Sequence, residues 1–247
     1  MNVKTRYRVL VVSMLSMIVL LAAMVVPVQA GENKPTPPPS HAYGKSLSEW
    51  MRLHVEYQLG GPDHVGNVRF IKVNPDPTVP GDQVVCDQGD SSFDKPTTCT
   101  GVFDLTLDHE NPFVLPFSAW LGETYKPELG QPDDTRLERT YLTRSNILIT
   151  LDGEPIVDSE KDDLNQYYFD FTLDPPIFYS EATSYGSIGI IWGQGIGFVH
   201  PPLAVGQHIL TLHSELFLEK GVALPVSNYP DGIGVIWENT WNITVTN

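Results

Sequence analysis

"SNILITLDGEPIVDSEKDD", residues 145–163, sets a β-prone run against an Asp152-Gly153 dipeptide and then an acidic, polar stretch. Asp and Gly tolerate the left-handed backbone of a tight turn, so the stretch reads as a strand over 145–151, a hairpin turn and a solvated loop. The same punctuation recurs along the chain. Runs of this kind stand at 67–73 (NVRFIKV), 100–107 (TGVFDLTL), 111–121 (NPFVLPFSAWL), 167–173 (YYFDFTL), 186–192 (GSIGIIW), 207–214 (QHILTLHS) and 240–246 (TWNITVT). Asp174-Pro175-Pro176 closes one run and Pro201-Pro202 precedes another, which are turn signals. No helical period and no βαβ rhythm separates them, and no internal repeat is visible. About eight short strands with such turns predict a mainly β fold, an antiparallel β-sandwich of Ig-like or jelly-roll kind.

One stretch departs from this character. In "GKSLSEWMRLHVEYQLGG" (44–61), Ser46 and Glu49 have capping-box spacing and Gly60-Gly61 supplies a stop, which predicts a helix over 46–59. Leu47, Trp50, Met51, His54 and Tyr57 fall on one face, with Glu49, Arg52 and Glu56 largely on the other. Soluble domains seldom expose an apolar stripe of that size, so the face is expected to pack on the sandwich.

Ahead of the helix lie two segments without a core. Lys4, Arg6 and Arg8 precede an apolar run from Val9 to Val26, and Val28-Gln29-Ala30 has the small residues of a cleavage site, so residues 1–30 read as a signal peptide. The run approaches the length of a membrane span, which makes an N-terminal membrane anchor the alternative. Residues 31–42, rich in proline, form an extended tether, and 43–247 form a single sandwich domain. The expected location is therefore secreted or extracytoplasmic, with no membrane insertion after cleavage.

The mature part keeps 12 Lys and Arg against 30 Asp and Glu, a formal charge of −18. A surface of that sign repels phosphate backbones and anionic lipid, so nucleic acid is not an expected partner. Cys86 and Cys99 stand 13 positions apart, and in an oxidising compartment a disulfide between them is expected. Neither Cys-x-x-Cys nor a nearby paired His is present, and no metal or other cofactor is expected.

Five segments occur in an order that carries a resemblance: "YGKSLSEW" (43–50), "FVLPFSAW" (113–120), "LITLDGEPI" (148–156), "FDFTLDPP" (169–176) and "GFVHPPLAVGQHILTL" (197–212). The chain resembles a family of exported, functionally uncharacterised microbial β-rich proteins, which show a Gly-Lys-Ser before an aromatic-rich N-terminal helix and a late Leu-Pro-Pro-Gly-Lys-His-like turn. The family's further helix tryptophans are replaced here by His54 and Tyr57. The resemblance implies an extracytoplasmic β-rich domain and supplies no catalytic residues.

Chemistry-bearing residues are few. On a strand starting near Gln207, His208 alternates with Leu210 and Leu212 while His213 faces the other way, so the two cannot share a metal. His208 is expected to hydrogen-bond across a corner of the sandwich. His200, in "GFVHPPL", reads as a loop residue and is a ligand-binding candidate, or a general base if a carboxylate stands near. "DHE" at 108–110 reads as a polar turn. No Gly-x-Ser-x-Gly and no His-Glu-x-x-His occurs. Asp152, Asp158 and Asp162 are a calcium alternative, although the stretch does not match the calcium-loop pattern. The glycines of "GSIGIIWGQGIGF" read as a kinked strand or a flexible loop at a sandwich end. Trp192, Trp237 and Trp241 are candidates for an aromatic platform. The expected function is an exported non-catalytic domain, with a binding or assembly role at the cell surface or outside the cell and an unknown extracellular ligand or surface partner. The alternative is a secreted hydrolase or carbohydrate-active enzyme using acidic residues and His200.

Overall fold

A computed structural model describes residues 41–75, 79, 81–222 and 229–247. The signal segment and most of the tether lie outside the described residues. The strands are β1 (His64–Val65), β2 (Val68–Phe70), β3 (Gln83–Cys86), β4 (Thr97–Asp108), β5 (Phe113–Tyr125), β6 (Asn146–Leu151), β7 (Glu154–Asp158), β8 (Tyr168–Phe178), β9 (Ser187–His200), β10 (Gly206–Leu218) and β11 (Ile233–Thr246). They form a five-stranded sheet, β1-β2-β5-β9-β8, and a six-stranded sheet, β3-β4-β11-β10-β6-β7. Phe113, Leu115 and Phe198 of the first sheet meet Phe103, Leu210 and Trp241 of the second in one buried cluster. The fold is thus mainly β and sandwich-like, as expected.

The hairpin that punctuates residues 145–163 is present. Asp152 and Gly153 take φ of 54° and 86°, and Leu151 pairs with Glu154 across the turn. Beyond it the chain forms β7 instead of the expected loop, because Ile156 and Val157 are buried and hold the segment on the sheet.

Three further expectations need correction. The sheets are mixed: β4 runs parallel to β11, and β2 parallel to β5. Turn residues report only hairpins between neighbours in sequence, and these partners are far apart along the chain. The Asp174-Pro175-Pro176 signal does not end β8, which continues to Phe178 with a register shift between Thr172 and Ile177. β8 is an edge strand, where a proline can sit without breaking a ladder between two neighbours. Of the two readings of the glycine-rich stretch the strand holds and the loop at a sandwich end does not: it is the central strand β9, whose pairing with β5 shifts register three times. Its glycines clear space for side chains: a Cβ at Gly197 would overlap the end of Met51, and one at Gly193 the ring of Phe171.

Helix α1 (Leu47–Gln58) has the full capping box: the Ser46 backbone N–H donates to Glu49 Oε2 at 2.7 Å, and the Glu49 N–H donates to Ser46 Oγ at 3.2 Å. It covers the outer face of the five-stranded sheet over β5, β8 and β9. Leu47, Trp50, Met51 and Val55 are buried there in a second cluster with Phe70, Val114, Phe169 and Val199, and His54 is buried beside Phe70. Tyr57 stays partly exposed and stacks on Phe70 with centroids 5.9 Å apart. A second short helix, α2, spans Arg139–Thr143. Among the described residues no helix is long and apolar enough to cross a membrane.

Cys86 and Cys99 are bonded, directly opposite each other on β3 and β4. The bridge pins a four-residue edge strand. Closing a loop of 13 positions is worth about 3 kcal/mol in the chain-entropy picture. Reduction is therefore expected to lower stability by about that amount, read as the shift of a urea unfolding curve with and without reductant. An unchanged midpoint would show the bridge to be ornamental.

Candidate functional site

The four residues singled out in the sequence are not brought together. His200 is the last residue of β9, not part of a loop; it is 1% exposed, lies parallel to Phe113 at 4.9 Å, and donates from Nδ1 to Pro201 O at 2.7 Å. The strand runs past the expected 186–192 right up to the prolines, because His200 is paired with Phe113 of β5 across the sheet and stacks on its ring. Trp241 is fully buried, stacked on Phe103, with Nε1 donating to Lys72 O at 2.8 Å. Trp192 is buried beneath the Arg136 guanidinium, 5.1 Å from its ring, and donates to Asp134 O. Trp237 alone is exposed.

The acidic candidates are separately engaged. Asp152 Oδ2 meets His208 Nδ1 at 2.8 Å and its Oδ1 accepts the Ile209 N–H; Asp158 pairs with Lys161 at 2.6 Å; Asp162 Oδ2 accepts the Asp158 N–H. Among the described residues no group of three or more His, Cys, Asp or Glu is placed to hold a metal ion. His208 does tie a corner: its Nε2 faces Ala204 O at 2.8 Å while Nδ1 faces the Asp152 turn. "DHE" is a turn, closed by the Asn111 N–H on Asp108 O.

A groove of about 670 Å³ gathers residues that the sequence reading missed. Three strands of the six-stranded sheet supply Asp104 and Thr106 from β4, Asn242 and Thr244 from β11, and Gln207 from β10. Strand register fixes their order, since Asp104 pairs with Asn242, and Thr244 with both Thr106 and Gln207. Side-chain bonds lock the rotamers: Asn242 Nδ2 donates to Asp104 Oδ1 at 2.8 Å, and Gln207 Nε2 to Thr244 Oγ1 at 3.0 Å. Tyr57 of α1, Arg69 of β2 and the segment 70–72 also line it. Arg69 is oriented by Asp63, whose carboxylate its guanidinium meets at 2.8 Å. The His64 ring beside it holds the Asp63 carboxyl below the usual carboxylate range, with Arg69 adding to the effect.

The segment after β2 is tied to this floor by a buried ion pair. Lys72 Nζ stands 2.5 Å from Asp82 Oδ2, and Asp82 Oδ1 accepts the Asp104 N–H at 3.0 Å. Separating such a pair is costly, which holds the segment against β4. The lining offers amides, hydroxyls, the rings of Tyr57 and Phe70, the carboxylates of Asp63 and Asp104, and two cations, Arg69 and Lys72, each already paired with an aspartate, but no histidine or cysteine. Such a set can grip polar groups that both donate and accept hydrogen bonds. It lacks the paired nucleophile and base of covalent catalysis.

Alternation along "TGVFDLTL", "QHILTLHS" and "TWNITVT" marks these polar residues as facing away from the core. Their meeting in one groove depends on the strand order β4-β11-β10, for which the sequence carries no local signal. Comparison with known protein families, with curated proteins and with solved structures finds no match for this chain.

Proposed function

We propose that the chain is an exported, non-catalytic β-sandwich domain that binds a neutral, polyhydroxylated ligand, a stretch of saccharide, in the groove of Tyr57, Asp104, Gln207 and Asn242. The signal-like start, the resemblance to exported β-rich proteins and the disulfide support export, since disulfides persist in oxidising compartments. One observation carries the ligand class. Paired amide, hydroxyl and carboxylate side chains stand at fixed register on three rigid strands, next to a partly exposed tyrosine ring. Sugar hydroxyls each donate and accept, and a sugar's C–H face packs on an aromatic ring. The acidic surface disfavours anionic ligands. The hydrolase alternative draws no support from His200, which is stacked on Phe113 and does not line the groove.

The test is retardation in gels containing soluble polysaccharides, followed by calorimetry with the one that retards most. Asn242→Ala with Gln207→Ala is expected to weaken binding at least 10-fold, about 1.4 kcal/mol or more, in line with losing one or two net hydrogen bonds. Both residues are partly or fully exposed, so stability should stay within about 0.5 kcal/mol. Unaltered affinity in the double variant would move the site elsewhere, and no retardation by any polysaccharide would end the saccharide reading.

A further inference from the structure

At the Tyr125 end of β5 two carboxylates are wrapped in tyrosines, with no basic partner among the described residues. Glu123 Oε1 accepts the hydroxyls of Tyr179 at 3.0 Å and Tyr185 at 3.1 Å. Asp134, 4% exposed, accepts the Tyr125 hydroxyl on Oδ1 at 2.9 Å and the Glu123 N–H on Oδ2 at 3.0 Å. The Asp134 N–H returns a bond to Glu123 O at 3.0 Å, so the two residues form one rigid unit. Among the described residues no Lys, Arg or His forms an ion pair with either carboxylate; Arg136, two positions on from Asp134, is committed to Asp170 and Phe171 O. Burial pushes the Asp134 carboxyl up, and burial beside these carboxylates pushes Tyr125 and Tyr179 up as well, which keeps the phenols neutral donors.

A second feature points into the same place. Ser187 is fully buried, pairs with Tyr125 across β5 and β9, lies by the Tyr179 hydroxyl, and its Oγ has no hydrogen-bond partner. With the tyrosine protons directed at the carboxylates, the cluster still offers acceptors in Glu123 Oε2 and the tyrosine oxygens, beside a Ser187 hydroxyl that can accept while turning its own proton towards the Tyr179 oxygen. A ligand that matches must donate hydrogen bonds and carry positive charge. Tyr229, tilted against Trp120 at 5.2 Å, supplies apolar surface close by.

We propose that Glu123, Tyr179, Tyr185 and Ser187 form a second binding site, distinct from the groove, for a primary ammonium group on an apolar stem. A free amine and a lysine side chain share this chemistry. The experiment is an NMR titration of the full mature protein with n-butylammonium chloride, run against sodium chloride at equal ionic strength. Nα-acetyl-lysine amide and tetramethylammonium are titrated in parallel. Saturable shifts at Glu123, Tyr185 and Ser187 are expected with n-butylammonium, and at least tenfold weaker binding with tetramethylammonium, which has no N–H to donate. Binding of the lysine amide as tight as that of the alkylamine assigns the site to lysine side chains; tighter binding of the alkylamine assigns it to free amines. Glu123→Gln is expected to weaken binding at least tenfold. Tyr185→Phe, at a position 58% exposed, keeps the fold and should weaken it several-fold, so it decides the matter even if Glu123→Gln unfolds. Asn242→Ala in the groove should change nothing here. Shifts that match the sodium control, equal affinity for tetramethylammonium, saturation by calcium alone, or unaltered affinity in Tyr185→Phe would each overturn the proposal.

Discussion

Trp50→Ala is expected to cost about 3 to 5 kcal/mol, the range for truncating a fully buried aromatic. The indole is 1% exposed, packs on Phe70 with centroids 6.3 Å apart, and donates from Nε1 to Ala42 O at 2.7 Å. Truncation would leave a void between α1 and the sheet and remove one of the two hydrogen bonds that the Ala42 carbonyl accepts, the other coming from the Lys45 N–H at 3.2 Å. A domain of this size loses about 2–4 °C of melting temperature per kcal/mol, so a drop on the order of 10 °C is expected. Thermal unfolding followed by circular dichroism reads it. A melting temperature unchanged from wild type, with loss of ligand binding, would mean that the helix stripe is a recognition surface after all. Most of the stripe is core, and only its far end, Tyr57, reaches the groove.

That division within one helix shows where sequence reasoning succeeds and where it stops. The capping box, the stop and the apolar face were legible because each depends on residues three or four positions apart, and the structure has all three. The hairpin at Asp152-Gly153 was legible for the same reason, being a local demand for positive φ. What the sequence could not supply was strand order. β11 closes the six-stranded sheet by running parallel to β4, a pairing that spans most of the domain. Without it, Asp104 and Asn242 are two polar residues on separate strands, not neighbours joined at 2.8 Å.

Misreadings of individual residues have the same origin. His200 sits before two prolines, a local sign of a loop, yet the contact that decides its position comes from Phe113 on a different strand. The glycines of β9 imitate a flexible segment, but each is matched by a side chain brought in from elsewhere, Met51 at Gly197 and Phe171 at Gly193. Glycine composition alone cannot separate freedom from close approach. The carboxylate and tyrosine cluster was likewise invisible, since Glu123, Asp134, Tyr179 and Ser187 come from a strand end, two loops and the start of another strand. The reciprocal bonds of Glu123 and Asp134, one from the Glu123 N–H to the Asp134 carboxylate and one from the Asp134 N–H to the Glu123 carbonyl, reveal those two as one unit.

His54 should make the protein acid-labile as pH falls below 6.5. The ring is 1% exposed, lies edge-on to Tyr57 and Phe70 at 5.7 and 5.9 Å, and donates from Nε2 to Ile71 O at 2.7 Å. Burial, opposed only in part by that carbonyl, holds its pKa down to about 4 from an ordinary 6.5. The folded value is depressed, so between the two values the unfolded chain carries a proton that the folded chain refuses. The stability that His54 contributes is therefore complete above pH 6.5 and is lost as pH falls towards 4. Linkage puts the loss at about 2 kcal/mol by pH 5 and about 3 kcal/mol at full extent. Asp134 acts with the opposite sign, because burial raises its carboxyl and protonation there favours the folded state. Comparing wild type with His54→Gln, which keeps a donor for Ile71 O but cannot titrate, removes Asp134 and all other groups from the difference. Urea unfolding at pH 7.5 and pH 5 should show the gap between the two proteins narrowing by about 2 kcal/mol in acid. A gap that stays constant would mean that the ring accepts its proton inside the folded protein, and that α1 loosens from the sheet to admit it.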